Sequence, residues 1–219
     1  FYQYYFAFGG LHSNPAKLVN SPRIHNKKQS RLDSDEMKEL LTDVITGDAL
    51  DDNKKPYARR SNMRDTAIIA LLGGTGIRVS ELVGIDLNDI DWEHNCIRII
   101  RKGGNEDIVY FGDELHRYLE DYINYEREPG DDKEKALFVA SRKDKGRLTV
   151  RSVERIVSKY GTATIPSKHL SPHSLRRTFG TNYYEETSDL YAVADALGHK
   201  NIQVTKDHYA DISERKKQQ

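Results

Sequence analysis

The chain has 219 residues, 37% of them hydrophobic and 31% charged, with 34 basic residues against 34 acidic ones. That composition describes a polar globular protein of one large or two small domains, and no run approaches the roughly 20 apolar residues of a membrane span. The single cysteine, Cys96, excludes an internal disulfide and a cysteine-rich metal site, so a reducing cytoplasm is the expected compartment.

The zero net charge hides a strong segregation. Residues 133–159 hold nine Lys/Arg and three Asp/Glu, and residues 23–31 hold four basic residues and no acid. Residues 106–132 hold ten acids and two basic residues. A basic face and an acidic face can share one neutral chain, and phosphate binding responds to the local field rather than to the sum.

Residues 1–8 are aromatic and read as the end of a helix stopped by Gly9-Gly10. With no initial methionine, the expectation is that an upstream domain precedes them. Residues 11–31 carry Asn14-Pro15 and Ser21-Pro22, the composition of a linker. Ser34 is the expected N-cap of a helix with acids in its first turn and a stripe of Met37, Leu40, Leu41, Val44 and Ile45. A polar insertion at 47–57 leads to a strongly apolar helix at 63–72 and, after Gly73-Gly74-Thr75-Gly76, to a short helix at 79–83. Residues 95–101 and 108–111 are expected strands, joined at a hairpin by Gly103-Gly104-Asn105. A helix at 114–125, a short strand at 137–140 and a helix at 150–160 follow. The last third is read as helical, over 174–186, 189–197 and a short piece from residue 201. The predicted fold is mainly α, an α+β chain with a small antiparallel sheet.

The residues that carry chemistry lie in two distant stretches. Gly74-Thr75-Gly76-Ile77-Arg78-Val79-Ser80-Glu81-Leu82 is no nucleotide loop, because no Gly-Lys-Ser/Thr follows. It places Arg78 near a helix N-terminus, where backbone N–H groups favour an anion and a planar guanidinium can hold two phosphate oxygens. Downstream, Ser171-Pro172-His173-Ser174-Leu175-Arg176-Arg177 starts a helix with His173 and Arg176 one turn apart. Leu175, Phe179 and Tyr183 form its expected buried stripe, leaving His173 and Arg176 off the core face. Leu197-Gly198-His199 ends the next helix, and Tyr209 stands ten residues after that histidine. Two arginines, two histidines and a tyrosine suit the task of holding a phosphodiester while a phenol attacks it.

This ordered set, from about residue 30 to about residue 212, resembles the catalytic domain of the tyrosine recombinases, or phage-type integrases. The resemblance implies a helical catalytic domain over residues 32–219, preceded in 1–31 by the end of a core-binding domain and a linker that runs alongside DNA. It implies a site-specific DNA recombinase that cleaves and rejoins strands through a 3′-phosphotyrosine: a mobile-element integrase, a phage integrase or a chromosome-dimer resolvase, with the polar insertion at 47–57 favouring the mobile-element enzyme over a minimal resolvase. Arg78 and Arg176 would clamp the phosphate, with Glu81 in support. His173 would help move the nucleophile's proton, His199 would donate to a phosphate oxygen, and Tyr209 would be the nucleophile. A hairpin lysine protonates the leaving oxygen in that family, and Lys102 is the match. The stretch Asn105-Glu106-Asp107 departs from the family's pattern, which commonly carries another basic residue there. No cofactor or metal is implied. The implied partners are double-stranded DNA bearing specific recombination sites and, in the synaptic complex, three further copies of a chain that is monomeric when free. The origin would be bacterial or phage, with no membrane association. A type IB topoisomerase uses similar chemistry, and a non-catalytic DNA-binding protein would share the basic segments. A hydrolase using His173 and His199 is weak, since there is neither a His-Glu-x-x-His motif nor a close carboxylate pair.

Overall fold

The computed structural model describes residues 2–19, 30–128, 135–140, 146–198 and 205. Its architecture is the expected one: helices around a small antiparallel sheet. The predicted piece from residue 201 lies outside the described residues, apart from Thr205, which is helical and fully buried. Helix α1 (Tyr2–Ala7) stops at Gly9, whose φ of 75° is the left-handed conformation glycine adopts without penalty. A 3₁₀ turn follows at Pro15–Leu18, capped by the Asn14 side chain.

Helix α2 (Ser34–Thr46) begins at its expected cap, and its true cap lies one residue earlier. Asp33, not Ser34, is the N-cap: its carboxylate accepts from the Asp35 and Glu36 amides, and the Glu36 carboxylate accepts from the Asp33 amide at 2.8 Å. Leu40 and Val44 are buried as predicted, but Ile45 is 43% exposed at the edge of the stripe. The polar insertion contains the short helix α3 (Lys55–Ala58) and sends Leu50 into the core.

Helix α4 (Asn62–Thr75) is the centre of the molecule. Every residue from Arg64 to Leu72 is buried, because α2 packs on it and two further helices, α6 (Asp113–Asp121) and α8 (Pro172–Thr187), cover its other sides. A helix apolar on all faces needs such an enclosure. Asp65 is fully buried on it and is neutralised by Arg64 at 2.8 Å and Lys159 at 3.0 Å. The open N–H groups at its start are met by Glu126, which accepts from the Met63 amide at 2.8 Å. Burial pushes the Glu126 carboxyl above its ordinary range, and the Met63 and Arg64 amides pull it back.

Helix α4 ends at Gly76, with φ 64°. A Cβ there would stand 2.4 Å from Phe179 Cδ1 and 3.0 Å from Leu197 Cδ2. Gly76→Ala therefore combines left-handed strain with overpacking, and is expected to cost about 2–4 kcal/mol of stability in urea unfolding. A midpoint equal to wild type would show that this close approach is not required.

Helix α5 (Val79–Gly84) leads to the sheet, in the order β1 (Ile90–Asp91), β2 (Cys96–Ile100), β3 (Glu106–Tyr110). β1 was not apparent from the sequence; two residues are too few for an alternation to register. Pairing β2 with β3 sets Ile97 opposite Val109 and Ile99 opposite Asp107, so the inner face carries Ile97, Ile99 and Val109. Arg98, Ile100, Ile108 and Tyr110 face outward. Gly103 and Gly104 close the hairpin with positive φ.

The helix expected at 114–125 is α6 continued by a π-helical turn, Tyr122–Glu126. Residues 137–140 form no strand. Ala136 and Val139 instead make isolated bridges, to Asp86 and Arg147, along a fully buried stretch of Ala136, Leu137 and Phe138. Helix α7 (Val150–Thr164) is capped by Thr149, and α9 (Leu190–Ala196) by Asp189. α8 and α9 share a small apolar cluster of Tyr184, Val193 and Leu197, with Phe179 against it. Among the described residues, no helix is long and apolar enough to cross a membrane.

Candidate active site

The ends of α4 and α9, the starts of α5 and α8 and the β2–β3 turn surround one cleft of about 1130 Å³. Arg78, Lys102, His173 and Arg176 all line it, together with Arg101 and Gly198. Four of the six residues singled out by sequence thus meet at one place. His199 and Tyr209 lie outside the described residues. Gly198, the last described residue before His199, is on the cleft wall.

Arg78 is the N-cap of α5, and its side chain is 31% exposed. Glu81, one turn later and almost fully buried, accepts from the Arg78 amide at 2.7 Å and from Arg78 Nη1 at 2.7 Å. Arg78 Nη2 reaches the Gly198 carbonyl at 3.4 Å. A short i,i+3 ion pair beneath a partly open guanidinium fixes the plane of the fork and leaves one edge towards the cleft.

Arg176 does not lie off the core face. It is buried, with 6% exposure, and its guanidinium donates to the carbonyls of Gly76 and Leu197. Those carbonyls close α4 and α9, where helix ends leave acceptors unmet. The predicted stripe of Leu175, Phe179 and Tyr183 buries only Leu175 completely; α8 instead buries Ser174, Arg176, Thr178 and Thr181 as well. The physical reason is that α4 and α7 pack on one side of α8 and α9 on another, so more than one stripe is covered. The burial of Arg176 suits a clamp held rigidly at the cleft floor.

His173 is exposed at the first turn of α8. Its Nε2 lies 3.2 Å from Arg177 Nη2. A guanidinium only donates, so this nitrogen accepts, which puts the proton of the neutral ring on Nδ1. Arg177, one turn along α8, thus holds the histidine ring from one side.

Lys102 is exposed in the hairpin turn and, among the described residues, makes no ion pair. Its neighbour Arg101 was missed. Arg101 lies in the cleft wall with its side chain only 9% exposed. Nε donates to Asp107 at 2.8 Å, Nη1 to Glu81 at 3.2 Å and Nη2 to the Ala196 carbonyl at 3.2 Å. The hairpin alternation held the signal. Residues 97, 99, 107 and 109 share the inner face, and Arg101 continues that alternation just past β2, diagonal to Asp107, which lies opposite Ile99; two charges so placed on a half-buried face pair. The departure at Asn105-Glu106-Asp107 is therefore half of an ion pair whose other half is Arg101.

Glu81 pairs with both Arg78 and Arg101, and Asp107 with Arg101, so these two acids offset two of the four cations Arg78, Arg101, Lys102 and Arg176. Such a cleft can hold a phosphodiester from several sides and stabilise the extra charge of a pentavalent phosphorus.

The Phage integrase family matches residues 30–216 of this chain. The tyrosine recombinase XerC of Vibrio cholerae serotype O1 (strain ATCC 39541) is 36% identical to it over 198 residues, 90% of this chain and 59% of the relative. The chain thus spans about three fifths of the length of that curated relative. Among solved structures, the XerH site-specific recombinase bound to palindromic difH substrate aligns with a TM-score of 0.72 at 22% identity, covering 90% of this chain and 54% of that one. The Tn1549 transposon integrase in complex with a circular intermediate DNA aligns with a TM-score of 0.66 at 22% identity, covering 94% and 70%. At these identities the two structures speak for the fold.

Proposed function

Since the chain belongs to the phage integrase family, we propose that it is a site-specific DNA recombinase that cleaves and rejoins strands through a phosphotyrosine. The catalytic domain is assigned to residues 32–219, and its partners are double-stranded recombination sites and, at synapsis, three further copies of itself. The observation that carries this reading is the convergence of Arg78, Lys102, His173 and Arg176, from three separate segments, on one cleft.

In this reading Arg78 and Arg176 hold the non-bridging oxygens of the scissile phosphate, and His199 adds a donor. The Tyr209 oxygen attacks phosphorus and gives up its proton, which His173 helps to move. The bond to the 5′-oxygen breaks, and that oxygen leaves with a proton from Lys102. The phosphotyrosine conserves the energy of the broken bond, so a 5′-hydroxyl from another strand can reverse the steps and seal a new junction. The arginines, a lysine and the histidines supply every charge and proton in this sequence.

The test is a pool of nicked duplexes of randomised sequence, incubated with the protein and stripped with SDS. Covalent adducts enriched in one sequence are expected. Adducts without any shared sequence would point to topoisomerase chemistry, and binding without adducts to a non-catalytic protein.

Lys102→Ala gives a sharper check of one role. General acid catalysis is worth about 10²–10⁴-fold, so cleavage of the ordinary substrate is expected to slow by that order. A 5′-bridging phosphorothiolate leaves as a thiolate and needs little protonation, so its cleavage should stay near wild type. Equal defects on both substrates would move the acid role elsewhere.

A further inference from the structure

Lys102 stands on a turn, and a lysine on a two-stranded turn is poorly fixed unless the turn is anchored. Among the described residues, the side-chain hydrogen bonds that join the hairpin tip to the surrounding helices come from Arg101. We infer that Arg101 is a positioning residue, which holds the Lys102 turn against the phosphate site by tying β3, α5 and the end of α9 together; this role rests on the recombinase reading above.

Three observations carry it. First, the Arg101 backbone closes the turn itself, its amide donating to the Asn105 carbonyl at 2.8 Å and its carbonyl accepting from the Gly104 amide at 3.0 Å. Lys102 lies inside that closed loop. Second, the side chain leaves the turn and spends its three nitrogens on three different elements: Asp107 on β3, Glu81 on α5 and the Ala196 carbonyl on α9. Third, the fit is tight. A Cβ on Gly198 would come within 3.0 Å of Arg101 Cζ and Nε, so the guanidinium lies directly against the backbone that leads into His199.

The geometry also separates Arg101 from the clamp. Glu81 keeps two bonds from Arg78, each 2.7 Å, that do not involve Arg101. Loss of Arg101 therefore leaves Arg78 with its own support, while the turn loses its anchor. A catalytic group misplaced by about 1 Å can cost on the order of 100-fold in rate.

Single-turnover cleavage of a duplex recovered from the randomised pool, in ordinary and 5′-bridging phosphorothiolate forms, tests this. Arg101→Ala is expected to slow the ordinary substrate by about 100-fold and the phosphorothiolate by less than about 3-fold, mimicking loss of the acid. Arg101→Lys should recover little, because one ammonium cannot span three acceptors. Asp107→Asn leaves the arginine in place and loosens one tie; it should show the same selectivity with a smaller defect, and it carries the test if Arg101→Ala does not fold. A role in fold stability alone would slow both substrates together and lower the unfolding midpoint, and equal slowing in Arg101→Ala and Asp107→Asn overturns the inference. Absence of adduct from the wild-type protein on either substrate overturns the recombinase reading itself, and this role with it.

Discussion

Tyr209→Phe is expected to abolish covalent attachment to DNA while leaving DNA binding close to wild type. The substitution removes one oxygen and keeps the ring, so packing is nearly unchanged and the effect is confined to the bond that oxygen would form. Tyr209 is one of 13 tyrosines, and a tyrosine chosen at random is best explained by packing. Its place ten residues after His199 singles it out. An unperturbed phenol has a pKa of about 10, which is why a proton acceptor must be within reach of it. The measurement is an SDS-resistant adduct on a labelled nicked duplex, with a mobility shift for binding. An adduct that persists in Tyr209→Phe would assign the nucleophile to another residue.

Arg78→Ala and Arg176→Ala are each expected to slow strand cleavage by about 10²–10³-fold, the loss seen when one transition-state donor is removed. The two should differ in stability. Arg78 is partly exposed, and Glu81 retains Arg101 after its loss, so Arg78→Ala should shift unfolding little. Arg176 is buried and satisfies the carbonyls of Gly76 and Leu197. Leaving both carbonyls without donors should cost about 2–4 kcal/mol, at roughly 1–2 kcal/mol for each. Lysine should restore neither rate fully, since it lacks the planar fork. Cleavage rates measured beside urea midpoints separate the two effects. An Arg78→Lys protein that turned over like wild type would refute a two-oxygen clamp at that position.

The tie through Arg101 bears on both experiments. Glu81 is the hub: it supports Arg78 directly and meets Arg101 on its other oxygen. Removing Glu81 would disturb clamp and hairpin at once, which makes it a poor choice for assigning a single role. Arg101 and Asp107 give cleaner separation because they lie on the hairpin side of that hub.

Local elements were legible wherever the signal was local. Helix α4 follows from its apolar run, the β2–β3 turn from its two glycines, and the starts of α8 and α9 from Ser171-Pro172 and Asp189. Each depends on hydrogen bonds or periodicity within about four residues, which any reader of the chain can check. The small errors were also local: Asp33 outcompetes Ser34 as cap because a carboxylate accepts from two amides at once. The same locality explains why Arg78, Lys102, His173, Arg176, His199 and Tyr209 could be singled out before any fold was known. Their side-chain chemistry, order and spacing are properties of the chain alone.

Burial and pairing were not legible, because they are set by segments far apart. Arg176 meets a carbonyl 100 residues away, and Arg101 one 95 residues away. No helical period around Arg176 could reveal that α9 would cover a second face of α8. No motif around Lys102 could reveal that the neighbouring arginine reaches three elements. The sequence by itself determined which phosphate-binding side chains the chain carries, and in what order and spacing. Only the tertiary structure decided which of them are spent on the protein, since a guanidinium's donors go to whichever acceptors folding brings within reach.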